Sequence, residues 1–244
     1  MLPTPRALLL DFGGTIVTSY RVTPFEPGFV ERVHDLIGGV LSVDELKSEL
    51  NRADAERGAW RDSTDEQIEL THEQLWGDYV AKGWPDAARE AVLANARDLT
   101  YAWARRSNWK LRPGILDLLE FTVGRGLPVA VVSNTRCGAA HRDFLDDRGL
   151  TGALGVQIYS DELGYFKPHP EMVFAAARDL RVEPADCWFV GDLVHTDIAA
   201  GRRAGVGAAI LMPDGEISSV ELDPRPDAIV ADGTELLELL RTEI

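Results

Sequence analysis

Three carboxylates stand just behind short apolar runs of the chain. Asp11 follows Ala7–Leu10, Asp192 follows Cys187–Val190 and Gly191, and Asp197 lies five residues further on. A hydroxyl and an amide, Ser133 and Asn134, follow a third run, Pro128–Val132. If these runs are buried parallel strands, the polar groups share one rim, because open α/β sheets bind ligands outside the carboxyl ends of their strands. Carboxylates crowded at one rim need a cation, and an all-oxygen donor set suits Mg²⁺. Lys167, in Gly164-Tyr165-Phe166-Lys167-Pro168, can reach the same rim and balance an anion there.

The elements that must position these groups follow from the periodicity. Val206–Leu211 and Ala228–Val230 are two further strand candidates, and helical patterns cover Ile115–Val123, Glu171–Leu180, Ile198–Ala204 and Glu235–Leu240. Strands alternating with helices predict a Rossmann-like, doubly wound parallel sheet of the α/β class. Residues 19–108 read differently, with no convincing strand run. Ser42-Val43-Asp44-Glu45 is a capping-box pattern opening a helix through about Arg57, and Asp65–Ala81 and Pro85–Arg105 continue the helical theme. The expectation is a core of residues 1–18 and 109–244, with an all-helical insertion over 19–108 directly after the first strand.

Composition narrows the function classes. The 244 residues carry 40 acidic and 25 basic side chains, a formal charge of −15, so a nucleic acid or an anionic membrane would meet repulsion. No apolar run approaches the roughly 18 residues of a membrane span, and the first residues lack a secretory pattern. Two cysteines, Cys137 and Cys187, make no disulfide framework. The expectation is a reduced, cytoplasmic chain, a monomer or homodimer, acting on a small molecule.

Taken together, the motifs resemble those of the haloacid dehalogenase superfamily, in its phosphatase-like branch with a helical cap. Asp11-Phe12-Gly13-Gly14-Thr15 matches the nucleophile motif Asp-x-Asp-Gly-Thr except at its third position. Val132-Ser133-Asn134-Thr135 matches the second motif and Lys167-Pro168-His169-Pro170 the third. Gly191-Asp192-Leu193-Val194-His195-Thr196-Asp197 matches the acidic fourth motif, and Arg112-Pro113-Gly114 resembles the return from cap to core. The resemblance implies that Asp11 attacks phosphorus, forming an aspartyl-phosphate that water hydrolyses. It implies Mg²⁺ held by Asp11, the Gly13 carbonyl and Asp192, with Asp197 acting behind them. Ser133, Asn134 and Lys167 would serve the phosphoryl group, and the substrate would be a small phosphorylated metabolite.

Gly13 is the departure. In the resembled phosphatases this position holds an aspartate that protonates the leaving group and then activates water. A missing general acid or base costs about 10²–10⁴-fold, which leaves hydrolysis feasible. Other family branches lacking that aspartate cleave C–halogen or C–P bonds, and one branch with glycine there still hydrolyses sugar phosphates. A weakly active binding or regulatory protein is the reading outside enzymes. The remaining polar and aromatic residues take plainer readings. His195 reads as a solvated loop residue, His169 as the start of a helix, Trp60, Trp76, Trp84 and Trp103 as helix packing, and Cys137 as a buried thiol.

Overall fold

The structure is a computed structural model that describes residues 2–19, 25–215 and 222–244. The chain divides into two compact units, one of Met1–Tyr20 with Asn108–Ile244 and one of Arg21–Ser107. These boundaries lie a residue or two inside those the sequence suggests for the insertion. The cause is a short antiparallel ribbon, β2 (Val17–Ser19) with β3 (Trp109–Leu111), which extends the first unit at both chain crossings.

Among the described residues, six strands of the first unit form one parallel sheet. In chain order they are β1 (Ala7–Leu10), β4 (Val129–Ser133), β5 (Val156–Tyr159), β6 (Cys187–Gly191), β7 (Ala208–Leu211) and β8 (Ala228–Ile229). Their spatial order is β5-β4-β1-β6-β7-β8. Numbering only these six along the chain, that is 3-2-1-4-5-6, the order of a Rossmann-type sheet. The α/β expectation therefore holds. The four residues of β1 are fully buried, with β4 and β6 paired on either side. A strand covered on both faces must be apolar throughout, which is why it reads as an unbroken run. Two expected strands begin or end differently: β7 starts at Ala208 rather than Val206, and β8 stops at Ile229. The edge strand β5 has no counterpart among the expected strands.

Helices flank the sheet. The helix Glu171–Leu180 buries Met172, Val173 and Ala176 against Leu9, Val132 and Phe189. Because this helix begins just after Lys167, its seat on the sheet fixes where that lysine leaves the backbone.

The named elements of the second unit, among its described residues, are all helices joined by turns. Its helices are α1 (Phe29–Leu36), α2 (Val43–Ser63), α3 (His72–Gln74, continued by a π-helical turn Leu75–Val80), α4 (Asp86–Ala94) and α5 (Ala96–Ala104). The Ser42 capping box is present, and α2 runs past Arg57 to Ser63. The expected helix over Asp65–Ala81 does not form as one piece. Thr71 and Gln74 make a second capping box, so the helix starts at His72. The segment before it is held by Glu69, buried and bonded to Arg57 at 2.8 Å. Asn95 likewise separates α4 from α5 within the expected Pro85–Arg105 helix. Leu50, Trp76, Leu99 and Trp103 lie in this unit's own core. Among the described residues, no helix is long and apolar enough to cross a membrane.

Candidate active site

The sheet order reverses between β1 and β6, and such a switch point opens a crevice at the carboxyl ends of the strands. Asp11 and Asp192 emerge from those two strands. The Asp11 N–H still donates to the Val190 carbonyl at 2.9 Å, extending the ladder one residue past β1. One carboxylate oxygen from each of Asp11, Asp192 and Asp197 lies within 4.8 Å of the others.

Lys167 is the cation of this cluster, with only 2% of its side chain exposed. Its Nζ donates to Asp11 Oδ1 at 2.7 Å and to the Val132 carbonyl at 2.8 Å. Asp197 Oδ1 is also 2.7 Å away, an ion pair set off the hydrogen-bond axis. Asp197 Oδ2 accepts from the Leu193 N–H at 3.0 Å. Both oxygens of Asp197 are thus engaged, and a cation at this cluster would draw chiefly on Asp11 and Asp192. Gly191 makes the approach possible, because a Cβ there would collide with the Asp197 side chain.

Asn134 braces Lys167. Its Nδ2 donates to the Lys167 carbonyl at 2.9 Å and its Oδ1 accepts from the Lys167 N–H at 2.7 Å. With both ends of the amide on Lys167, Asn134 is a brace for that lysine's backbone. Ser160, which the sequence did not single out, braces the neighbouring residue of the same loop. Its Oγ accepts from the Thr135 N–H and donates to the Thr135 carbonyl, both at 2.9 Å. Ser133 ends β4, buried, beside Tyr159 of β5.

The turn after Asp11 is tight. The Ile16 and Val17 N–H groups both donate to the Phe12 carbonyl, at 3.0 and 2.9 Å, and the Gly14 N–H donates to the Val17 carbonyl at 2.7 Å. Phe12 stacks on His141 with ring centroids 3.9 Å apart. Gly14 has φ +74°, and a Cβ on it would run into the Asp192 carboxylate. Gly13 is exposed, lies outside the left-handed region and has nothing within 4 Å of where a Cβ would be.

The electrostatics are unbalanced, with three carboxylates to one ammonium. Burial pushes the Asp11 carboxyl up to about 6, Lys167 opposing and Asp197 adding to it. Burial, then the charges of Asp11 and Asp197, push Asp192 up to about 8. For Lys167 burial acts downward, but Asp11 and Asp197 outweigh it and the ammonium is raised. Carboxylates held this far up are relieved either by protons or by a divalent cation. The donors are all oxygen and carry excess negative charge, which fits Mg²⁺ and not a thiolate- or imidazole-seeking metal.

The other singled-out residues lie largely as their plainer readings have them. His195 is exposed, though in a π-helical turn, Val194–Ile198, and not in the loop its plainer reading has. His169 accepts from the Glu171 N–H at 3.1 Å at the start of the helix Glu171–Leu180 and stacks on Tyr165. Cys137 is buried. Trp76 and Trp103 are packed in the helical unit, with Trp76 Nε1 donating to Thr100 Oγ1 at 2.9 Å. Arg112 is the residue at this site whose place motif spacing understated. Its buried guanidinium binds four main-chain carbonyls, one of them that of Gly14. Carbonyl partners leave no mark in a sequence.

Comparison with known proteins gives a consistent picture. The family model for haloacid dehalogenase-like hydrolases matches residues 5–205. The chain is 30% identical over 140 residues to haloacid dehalogenase-like hydrolase domain-containing protein 3 of Bos taurus, covering 56% of this chain and 55% of that protein. It is 28% identical over 128 residues to the pyrophosphatase PpaX of Oceanobacillus iheyensis, covering 52% of this chain and 59% of that one. The matches thus span little more than half the length of these curated relatives. The solved structure of a 2-haloacid dehalogenase from Pseudomonas syringae superposes with a TM-score of 0.63 at 18% identity, covering 100% of both chains. At that identity the likeness is one of fold alone.

Proposed function

The chain belongs to the haloacid dehalogenase-like hydrolases, and from that premise we propose that it is a Mg²⁺-dependent phosphatase of small phosphorylated metabolites. The observation that carries this reading is Asp192, set beside Asp11 at the switch point; among the described residues its carboxylate makes no ion pair, and Lys167 is committed to Asp11 and Asp197. A phosphoryl group approaching two carboxylates needs a metal between them, whereas a haloacid would gain nothing from the second carboxylate. The name pyrophosphatase carried by the relative PpaX supports the choice of phosphoryl over halide chemistry.

Asp11, the Gly13 carbonyl and Asp192 would hold the ion, which when bound neutralises charge shared by nucleophile and phosphoryl oxygens. Asp11 attacks phosphorus while the bond to the leaving oxygen breaks, giving an aspartyl-phosphate. Water then attacks that phosphorus and releases phosphate, restoring the carboxylate. Lys167 favours the ionised, nucleophilic form of Asp11 and offsets charge on the phosphoryl group. Ser133 would donate to a phosphoryl oxygen, and Asn134 keeps Lys167 in register. The helical unit, inserted between β2 and β3, would select the substrate.

Gly13 offers no proton to the leaving oxygen, so the departing group must tolerate negative charge. Acyl, aryl, pyrophosphoryl and anomeric sugar phosphates should react far better than primary alkyl phosphates. A panel of these esters, with haloacids and phosphonoacetaldehyde alongside, tests the reading with and without Mg²⁺. We expect Mg²⁺-dependent phosphate release, with log kcat/KM falling steeply as leaving-group pKa rises. Halide release without Mg²⁺ would overturn the phosphatase reading, and a flat slope would show that another residue supplies the proton.

A further inference from the structure

Arg112 follows β3, four residues after the chain re-enters the first unit at Asn108. Its guanidinium is buried, with 8% of the residue exposed. Among the described residues no carboxylate pairs with it. Instead Nη1 donates to the carbonyls of Gly14 and, at 3.0 Å, Met212, while Nη2 donates to those of Pro213 at 3.0 Å and Ala231 at 2.6 Å. Its own N–H donates to the Ile16 carbonyl at 2.9 Å. A buried cation without a counter-ion is costly, and the cost is met here by charge-assisted bonds to main chain alone.

The four carbonyls are not a random set. Gly14 belongs to the turn that follows Asp11, and a Cβ on it would overlap the Asp192 carboxylate. Met212 is bonded through its N–H to the Gly191 carbonyl at 2.8 Å, the residue immediately before Asp192. One guanidinium therefore grips the loop behind the nucleophile and the backbone beside the second carboxylate. Pro213 and Ala231 tie the same group to the ends of β7 and β8.

We propose that Arg112 is a positioning residue that sets the spacing between Asp11 and Asp192, and through it the affinity of the site for Mg²⁺. The proposal rests on the reading of the site as a Mg²⁺ centre. A lysine could keep the charge, but its single ammonium cannot span four carbonyls that a planar fork reaches together. Losing a group behind the ligands costs roughly 10–100-fold in metal affinity or activity. The effect should fall on Mg²⁺ binding and kcat, with substrate KM little changed at saturating metal.

The test is calorimetric titration of Mg²⁺ into the native protein, Arg112→Lys and Arg112→Ala, each checked for native circular dichroism. The expected result is Mg²⁺ affinity at least tenfold weaker in Arg112→Lys and weaker still in Arg112→Ala. Millimolar guanidinium ion, far below denaturing levels, should restore some of the loss in Arg112→Ala but not in Arg112→Lys. A merely structural arginine would lower the melting temperature without that selective rescue. If Arg112→Ala fails to fold, Arg112→Gln takes its place in the titration. Native Mg²⁺ affinity and kcat in the folded variants would overturn the role of Arg112. Absence of Mg²⁺ binding to the native protein would instead overturn the metal reading, and the proposal with it.

Discussion

Lys167 shows how much of the site one residue can organise. Its ammonium is shared by Asp11, Asp197 and the Val132 carbonyl, and its backbone is clasped by Asn134. The sequence placed Lys167 and Asp11 together through their motifs, and it put both Asp192 and Asp197 in the acidic loop. The residue types alone did not divide labour between those two carboxylates; the family resemblance did, setting Asp192 toward the metal and Asp197 behind it, and the physical ground is which oxygens Lys167 and the Leu193 N–H already occupy. The same limit applies to Asn134, whose amide type fits a phosphate contact as well as a brace. Removing the ammonium leaves buried carboxylates facing one another, and Asp11 then titrates still higher. The penalty is full above that raised value and relieved as pH falls and the carboxyl protonates. Lys167→Met should therefore lose roughly 3–5 kcal/mol of stability at pH 8 and clearly less at pH 5, as read from urea melts in metal-free buffer. Equal losses at the two pH values would contradict the ion pair.

At the scale of elements, β1, β4 and β6 were legible because burial on both faces makes them unbroken apolar runs. The edge strand β5 was not, since Val156, Gln157 and Ile158 are only partly buried and alternate in polarity over four residues. The three-residue strands β2 and β3 are too short for any period to emerge, yet they bring Arg112 to the nucleophile turn. In the helical unit the Asp65–Ala81 pattern concealed a break, because Glu69 is a polar residue buried by an arginine partner distant in sequence. The turn itself sets two adjacent glycines apart. Gly14 needs its left-handed backbone and has Asp192 where a side chain would go, whereas Gly13 has neither constraint. Gly14→Ala should cost about 1–2 kcal/mol from the backbone alone and weaken Mg²⁺ binding sharply. Gly13→Asp should fold as the native protein does and speed esters with poor leaving groups by up to about 10²–10⁴-fold, good ones much less. Melts and a leaving-group series on both variants check this, and a stable Gly14→Ala with native Mg²⁺ affinity would contradict the contact.

For the whole molecule, the alternation of elements pointed to a doubly wound parallel sheet but not to its order, 3-2-1-4-5-6, which brings distant carboxylates to one switch point. That convergence leaves a pH signature. Each carboxyl with a folded pKa above its unfolded value near 3.8 contributes stability at low pH. In the metal-free protein that contribution is lost as pH rises through about 6 for Asp11 and about 8 for Asp192. Mg²⁺ takes the ionised groups, so its thermal stabilisation of the protein should grow between pH 5.5 and 8.5 at fixed concentration. A shift independent of pH would contradict the assignment of those carboxylates. The central claim is that Asp11 carries the phosphoryl group between substrate and water. Its most direct measure is native protein mixed with a reactive phosphate ester and Mg²⁺, quenched in acid within a turnover, digested and analysed by mass spectrometry. An acid-stable, base-labile phosphate on the peptide containing Asp11, absent from Asp11→Asn, is the expected result. Turnover of that ester with no phosphate on Asp11 at any quench time, and Asp11→Asn working near the native rate, would contradict it.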